Sequence, residues 1–117
     1  MELVDLVHAV LRIDMLVARQ WIADAKREGF SWTKSRRPEG LDARQLAVAA
    51  ALVGLMSERQ GTSTPRWVSR VPPANEDVWL IPSALEMPRL RRDIEANCPA
   101  ALKRKRVYAT ANFLTIA

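Results

Sequence analysis

The chain has 117 residues, of which 49% are apolar and 26% charged, and this composition excludes wholesale disorder. A single Cys excludes an internal disulfide and a cysteine-based zinc site, while scarce His and Gly leave no common catalytic or phosphate-loop motif. The net charge is +5, with nine basic and five acidic residues in the segment 61–117. We therefore expect a single basic domain over residues 1–117 that binds a partner, and neither an enzyme nor a metal or cofactor protein.

Residues 2–28 predict one long amphipathic helix, with Gly29 just past its C-terminal end. Apolar residues recur there at spacings of three and four, which places them on one face. Further apolar residues widen this face beyond what one neighbour can cover. Self-association through the first helix is therefore one hypothesis. The periodic residues are Leu3, Leu6, Val10, Ile13, Val17 and Trp21.

Residues 29–40 predict a loop that reverses the chain, and Phe30 and Trp32 are expected to anchor it to the core. Residues 42–60 predict a second helix, with Asp42 as its N-cap. Alanines along this second helix permit close approach of the first. The two helices should therefore pack as a long antiparallel pair.

The segment 61–82 predicts an extended, proline-rich lid over the helical pair, because its prolines exclude a long helix. Two apolar islands interrupt it, Trp67-Val68 and Val78–Ile81. We expect these islands to lie against the helices.

The end of the chain predicts a short C-terminal helix and a strand-like, basic tail. Ser83 is the expected cap of a turn over 84–87, and a helix over 88–97 begins at a proline. Residues 99–102 add one more turn, and residues 106–116 begin with a β-like pattern. The expected fold class is mainly α.

The lid also supplies the candidate partner-binding residues. Exposed Trp and Arg side chains dominate the energetics of protein interfaces. A protein-binding module is therefore the leading functional hypothesis. Its candidate interface residues are Arg66, Trp67, Arg70 and Trp79.

Nucleic-acid binding is the alternative hypothesis. Two basic clusters could neutralise phosphates, and Trp32 and Tyr108 stand close enough in sequence to stack on bases. A solvated surface produces the same pattern of charge, so both interpretations stay open. The candidate residues are Arg36 and Arg37 in the first loop, and Lys103, Arg104, Lys105 and Arg106 before the predicted strand.

Catalytic and targeting signals are weak throughout. His8 and Cys98 lack partners at recognisable spacings, and we expect both to be structural residues. No apolar run approaches the ~18 residues of a membrane span, and the acidic start Met-Glu-Leu-Val-Asp is unlike a secretory leader. Together with the single Cys, these features indicate a cytoplasmic protein without membrane partners.

The second half of the chain resembles small bacterial antitoxin-like proteins. The similarity rests on Pro65–Val68, Val78–Leu80, Ala96–Leu102 and Arg106–Leu114, with an alanine-rich helix ahead of Glu58–Gly61. Members of that group are antitoxin-type partners of nucleotidyltransferase-like toxins. The resemblance implies a toxin-like protein partner and supplies no catalytic residues. A separate helix-turn-helix, which would support autoregulation on DNA, is not visible in the sequence.

Overall fold

The protein is mainly α-helical, as predicted, in a computed structural model that describes residues 1–115. The end of the predicted tail, Ile116 and Ala117, lies outside these residues. The described helices are α1 (Leu3–Leu11), α2 (Met15–Arg27), α3 (Ala43–Gln60), α4 (Arg66–Arg70), α5 (Pro88–Asn97) and α6 (Ala100–Lys103). A 3₁₀ turn at Pro82–Glu86 and two short strands, β1 (Val78–Trp79) and β2 (Val107–Tyr108), complete the described chain.

Helix α3 forms the centre of the molecule, and its predicted bounds are confirmed. Asp42 and Gln45 form a reciprocal capping box, in which each side chain accepts a hydrogen bond from the other residue's backbone N–H, at 2.8 and 3.0 Å. Gly61 ends the helix in the left-handed conformation, with φ of 67°. Every residue from Leu46 to Ser57 is buried, because α1, α4, α6 and β2 surround the helix.

The predicted single helix over residues 2–28 is wrong, because the chain breaks between α1 and α2. Asp14 accepts a hydrogen bond from the backbone N–H of Val17 at 3.2 Å and so caps α2. Its own backbone N–H bonds back to the carbonyl of Ala9 at 2.9 Å, which closes α1. These two hydrogen bonds stabilise the break, so the chain does not continue as one helix. The apolar periodicity continues across the break, so the sequence pattern does not indicate it.

The break changes how the first segment packs. α1 lies against α3 and buries five of its nine residues, whereas α2 folds back against α1. The second half of the predicted first helix, α2, thus becomes a neighbour of its first half, α1, and the predicted long pair is reduced to α1 against α3 with α2 on α1. Much of the broad apolar face that suggested self-association is covered within the molecule.

The loop after α2 is anchored by an aromatic cluster, as predicted. The rings of Trp21, Phe30 and Trp32 contact one another with centroids 4.9 to 5.7 Å apart. The indole of Trp21 donates a hydrogen bond to the carbonyl of Glu2 at 3.0 Å. The cluster therefore ties α2 and the following loop to the start of α1.

The proline-rich segment differs from its predicted extended form. Trp67 and Val68 lie in α4, a five-residue helix that starts after Pro65 and packs against α3. Such a helix fits between prolines because its first turn needs no N–H donors. The next turn begins at Pro82, so Ser83 lies inside it and is not its cap.

The two strands form a parallel ladder that joins the lid to the tail. Val78 pairs with Val107 and Trp79 pairs with Tyr108. The N–H of Leu80 extends the ladder by donating to the carbonyl of Tyr108 at 2.9 Å. The predicted β-like start of the tail is confirmed. Its pairing brings residues 80–83 beside residues 110–115.

Candidate protein-docking site

An apolar groove lies where the α1–α2 corner, the chain after β1 and the C-terminal turn meet. Its volume is about 600 Å³, within the range of ligand pockets. Among the described residues of its lining, Arg19 is the charged one, and Thr110 and Asn112 are among the polar ones. The main apolar lining residues are Ile13, Met15, Leu80, Ile81, Phe113 and Leu114. We refer to this feature as the apolar groove.

Large apolar side chains are exposed beside the groove. Leu16 is 81% exposed, Val17 is 50% exposed and Ile13 is 49% exposed. Leu16 lines a shallow depression together with Arg19 and Thr115, two residues that also line the groove. Sequence periodicity placed Ile13 and Val17 on a buried face, which is wrong because the break at residues 12–14 turns them outward. The groove, Ile13 and Leu16 form one apolar surface, whereas Val17 lines a separate, more polar depression.

Two of the three non-glycine residues with left-handed backbone in the described chain line this groove, and the third is Arg106, with φ of 61°. Ile13 and Leu114, with φ of 59° and 56°, occupy the left-handed region, which is rare for side chains other than Gly, Asn and Asp. The equivalent position after α2 is Gly29, with φ of 70°. A β-branched residue at such a position costs roughly 1–2 kcal/mol relative to a glycine. Strain of this kind clusters at binding sites, where it holds a side chain in place.

Arg59, at the C-terminal end of α3, positions one wall of the groove. Its guanidinium donates to the carbonyl of Phe113 at 2.6 Å and to that of Ala111 at 3.1 Å. Burial lowers the pKa of Arg59. The C-terminal turn is therefore held against the end of α3 by charge-assisted hydrogen bonds.

The four predicted interface residues fall into two separate places. Arg66 and Arg70 are exposed on α4, and the half-buried Trp67 beside them donates its indole N–H to the carbonyl of Ser35 at 2.9 Å. Trp79 is on β1 and lies outside α4. Trp67 thus ties the lid to the first loop.

Trp79 belongs to a stack that joins the strands to α5. Its ring lies 4.9 Å from that of Tyr108, and the Arg91 guanidinium lies 5.6 Å from the Trp79 centroid. Burial raises the pKa of Tyr108, and the nearby carboxylate of Asp77 adds to this effect. The stack leaves Trp79 half-buried. Its assignment to a partner interface stays a prediction.

The four basic residues before β2 bind different parts of the protein itself. Lys103 donates to the carbonyl of Glu95 at 3.1 Å, and Arg104 pairs with Glu58 at 3.3 Å. Lys105 donates to the carbonyl of Val71. Arg106 pairs with Asp77 at 2.8 Å and donates to the carbonyl of Asn75 at 2.6 Å. The basic run, residues 103–106, therefore fastens the lid and α5 to the rest of the fold.

The other predicted basic cluster faces solvent. Arg36 and Arg37 are exposed and, with Lys34, line a groove of about 600 Å³ against the start of α1. Glu2 and Glu39 share that lining and offset part of its charge. The basic run and this cluster lie on separate surface features.

Two further features concern metal binding and membrane crossing in the part of the chain that the structure describes. Residues 1–115 hold no group of three or more His, Cys, Asp or Glu placed to share a metal ion. None of the helices among them has the length and apolar character that a membrane crossing requires. Comparisons with protein-family models, with curated proteins and with solved structures find no match to this sequence.

Proposed function

We propose that this protein is a non-enzymatic binding module that holds a segment of a partner protein in the apolar groove. The observation that carries the proposal is the coincidence of strain and exposure at Ile13. A side chain that is costly to keep in this backbone conformation is also half exposed at the edge of a groove. Folding alone would favour glycine there.

The lining indicates the chemistry of the partner segment. The groove suits large aliphatic or aromatic side chains, because its lining is mainly apolar. Arg19 is exposed and makes no ion pair within residues 1–115. With a net charge of +5, the protein favours an acidic partner. We therefore propose a segment with large apolar side chains next to a carboxylate.

A toxin-like protein is the proposed source of that segment. This finer assignment rests on the resemblance of the second half of the sequence to antitoxin-like proteins. The proposed role of the chain is to bind and neutralise such a partner.

The proposal is tested by affinity capture of the tagged chain from its own cells, with and without nuclease. We expect one stoichiometric protein that survives nuclease treatment. Leu16→Glu should weaken its binding about thirtyfold, equivalent to roughly 2 kcal/mol, because a charge replaces an apolar contact. Since Leu16 is 81% exposed, stability should change by less than about 0.5 kcal/mol.

Two further variants make this experiment decisive. Arg92→Gln removes an exposed charge on α5 away from the groove and should leave capture unchanged. Trp79→Ala tests the interface predicted from sequence. Loss of the partner with Trp79→Ala but not with Leu16→Glu would contradict the groove assignment.

Nucleic-acid binding is the second candidate function. The supporting observation is the exposed groove that contains Lys34, Arg36 and Arg37. Binding through these side chains should weaken steeply with salt and fall in an Arg36→Gln, Arg37→Gln double variant. A gel shift that disappears only in this variant would favour nucleic acid. No shift at low salt would exclude it.

A further inference from the structure

A smaller cavity lies between α3, α4 and α6, away from the apolar groove. Its volume is about 320 Å³. Cationic residues from two distant parts of the chain line it, Arg66 at the start of α4 and Arg104 and Lys105 after α6. Thr64 adds a hydroxyl group. The cavity thus joins one predicted partner-binding residue to two predicted nucleic-acid-binding residues.

Gly54 lines the floor of this cavity. It lies inside α3, where glycine costs roughly 1 kcal/mol relative to alanine. A Cβ at this position would be 3.4 Å from the Cβ of Ala101 and 3.9 Å from Cγ1 of Val68. Both distances are ordinary van der Waals contacts, so a methyl group would fit here, and its absence leaves a floor of small apolar groups in the cavity.

The charge in this cavity is unbalanced. Its lining contains three cationic residues and no carboxylate in the described chain. Glu58 reaches Arg104 from outside the lining, at 3.3 Å, while Arg66 makes no ion pair within residues 1–115. Burial lowers the pKa of Lys105, and the charge of Arg104 lowers it further. An anion bound here would offset the unpaired charge of Arg66 and the effect of Arg104 on Lys105.

We propose that this cavity binds a phosphate group. Arg66 offers planar guanidinium donors that match phosphate oxygens. Arg104 and Lys105 already donate to Glu58 and to the carbonyl of Val71, and they offer their remaining N–H donors and their positive charge. The hydroxyl of Thr64 can donate a further hydrogen bond. The Ser69 hydroxyl already donates to the carbonyl of Arg66, at 2.9 Å, and so helps to fix the start of α4. This site is independent of the apolar groove.

The proposal is tested by NMR titration of the folded chain with inorganic phosphate at constant ionic strength, which removes general screening effects. We expect saturable shifts of the backbone amides at 64–69 and 101–105. Arg66→Gln should weaken binding about tenfold, through loss of a charge-assisted hydrogen bond. Arg92→Gln removes the same charge from α5 and should change binding less than about twofold. If Arg66→Gln does not fold, Arg104→Gln replaces it, because its exposed pair with Glu58 contributes little stability.

Two more titrations distinguish the source of the phosphate. A nucleoside monophosphate that shifts these amides indicates a small-molecule ligand. A short single-stranded DNA that shifts the same amides, with a steep salt dependence, indicates a nucleic-acid backbone. The proposal is overturned if none of the three probes shifts these amides, or if Arg66→Gln and Arg92→Gln weaken binding equally.

Discussion

The apolar groove and the basic run differ in how the protein uses exposed side chains. At residues 103–106, each cation binds a carbonyl or carboxylate of another segment. At the groove, Ile13 and Leu16 extend into solvent, and left-handed backbone holds Ile13 there, as it also holds Arg106 in the basic run. The charge of the basic run therefore serves mainly the fold, while the exposed apolar side chains at the groove lack an internal partner in the described chain.

The largest effect on stability that tests this contrast is expected from Arg59→Ala. The change leaves the carbonyls of Ala111 and Phe113 without their donors, so the free energy of unfolding should fall by roughly 2 kcal/mol. Chemical denaturation measures this loss. Amide exchange should accelerate at residues 110–115, which form one wall of the groove. Arg59→Lys keeps the charge and should recover part of the loss; an unchanged exchange rate would show that Arg59 does not position the wall.

Ile13→Gly separates binding from folding at the groove. Relief of left-handed strain offsets the loss of a half-buried side chain, so stability should change by less than about 1 kcal/mol. Affinity for the captured partner should nevertheless fall about tenfold, because the side chain at the groove edge is lost. The matched control is Arg92→Gln, which removes an exposed charge on α5 away from the groove and should leave affinity unchanged. Unchanged affinity in Ile13→Gly would mean that strain at residue 13 has no role in binding.

Asp77→Asn probes the basic run and should have a small effect. The pair of Asp77 with Arg106 is about half exposed, so its loss should lower stability by roughly 0.5 kcal/mol, and by less at high salt. Urea unfolding at two salt concentrations measures this, with Glu86→Gln as the exposed control. A loss of stability as large as that of Arg59→Ala would show that this ion pair contributes most of the attachment of the lid to the rest of the fold.

The smallest expected effect concerns the thiol of Cys98, beside the basic run. Burial raises its pKa, and the opposing charge of Lys103 does not outweigh that effect. Alkylation by iodoacetamide at neutral pH should therefore be slower than for a free cysteine, because less thiolate is present. Lys103→Gln should slow it slightly further. Alkylation faster than that of free cysteine would indicate a strongly anion-stabilising surface at the basic run.

The parts of the fold that local signals determine could be predicted from the sequence. Helix α3 has its cap at Asp42 and its glycine stop at Gly61, and α5 begins at Pro88. The break at Asp14 was missed because apolar periodicity continues through it. Helix α4 was missed because prolines at both ends suggested extended chain.

The apolar groove could not be predicted in the same way. Its walls come from residues 13–19, 80–83 and 110–115, and only the parallel pairing of β1 with β2 brings the last two together. No local sequence pattern predicts that these two short strands pair. One local signal was present, because Asp14 is a residue type that caps helices. A helix that starts after Asp14 implies that the preceding helix ends before it, which puts Ile13 at the position that glycine normally occupies.

Photo-crosslinking in cells tests the central claim most directly. A photoreactive amino acid is placed at position 16 beside the groove, at position 36 in the first loop and at position 92 on α5. The account predicts that one partner protein is crosslinked from position 16 and not from position 92 or position 36. Crosslinks that form from position 36 or position 92, with none from position 16, would contradict it.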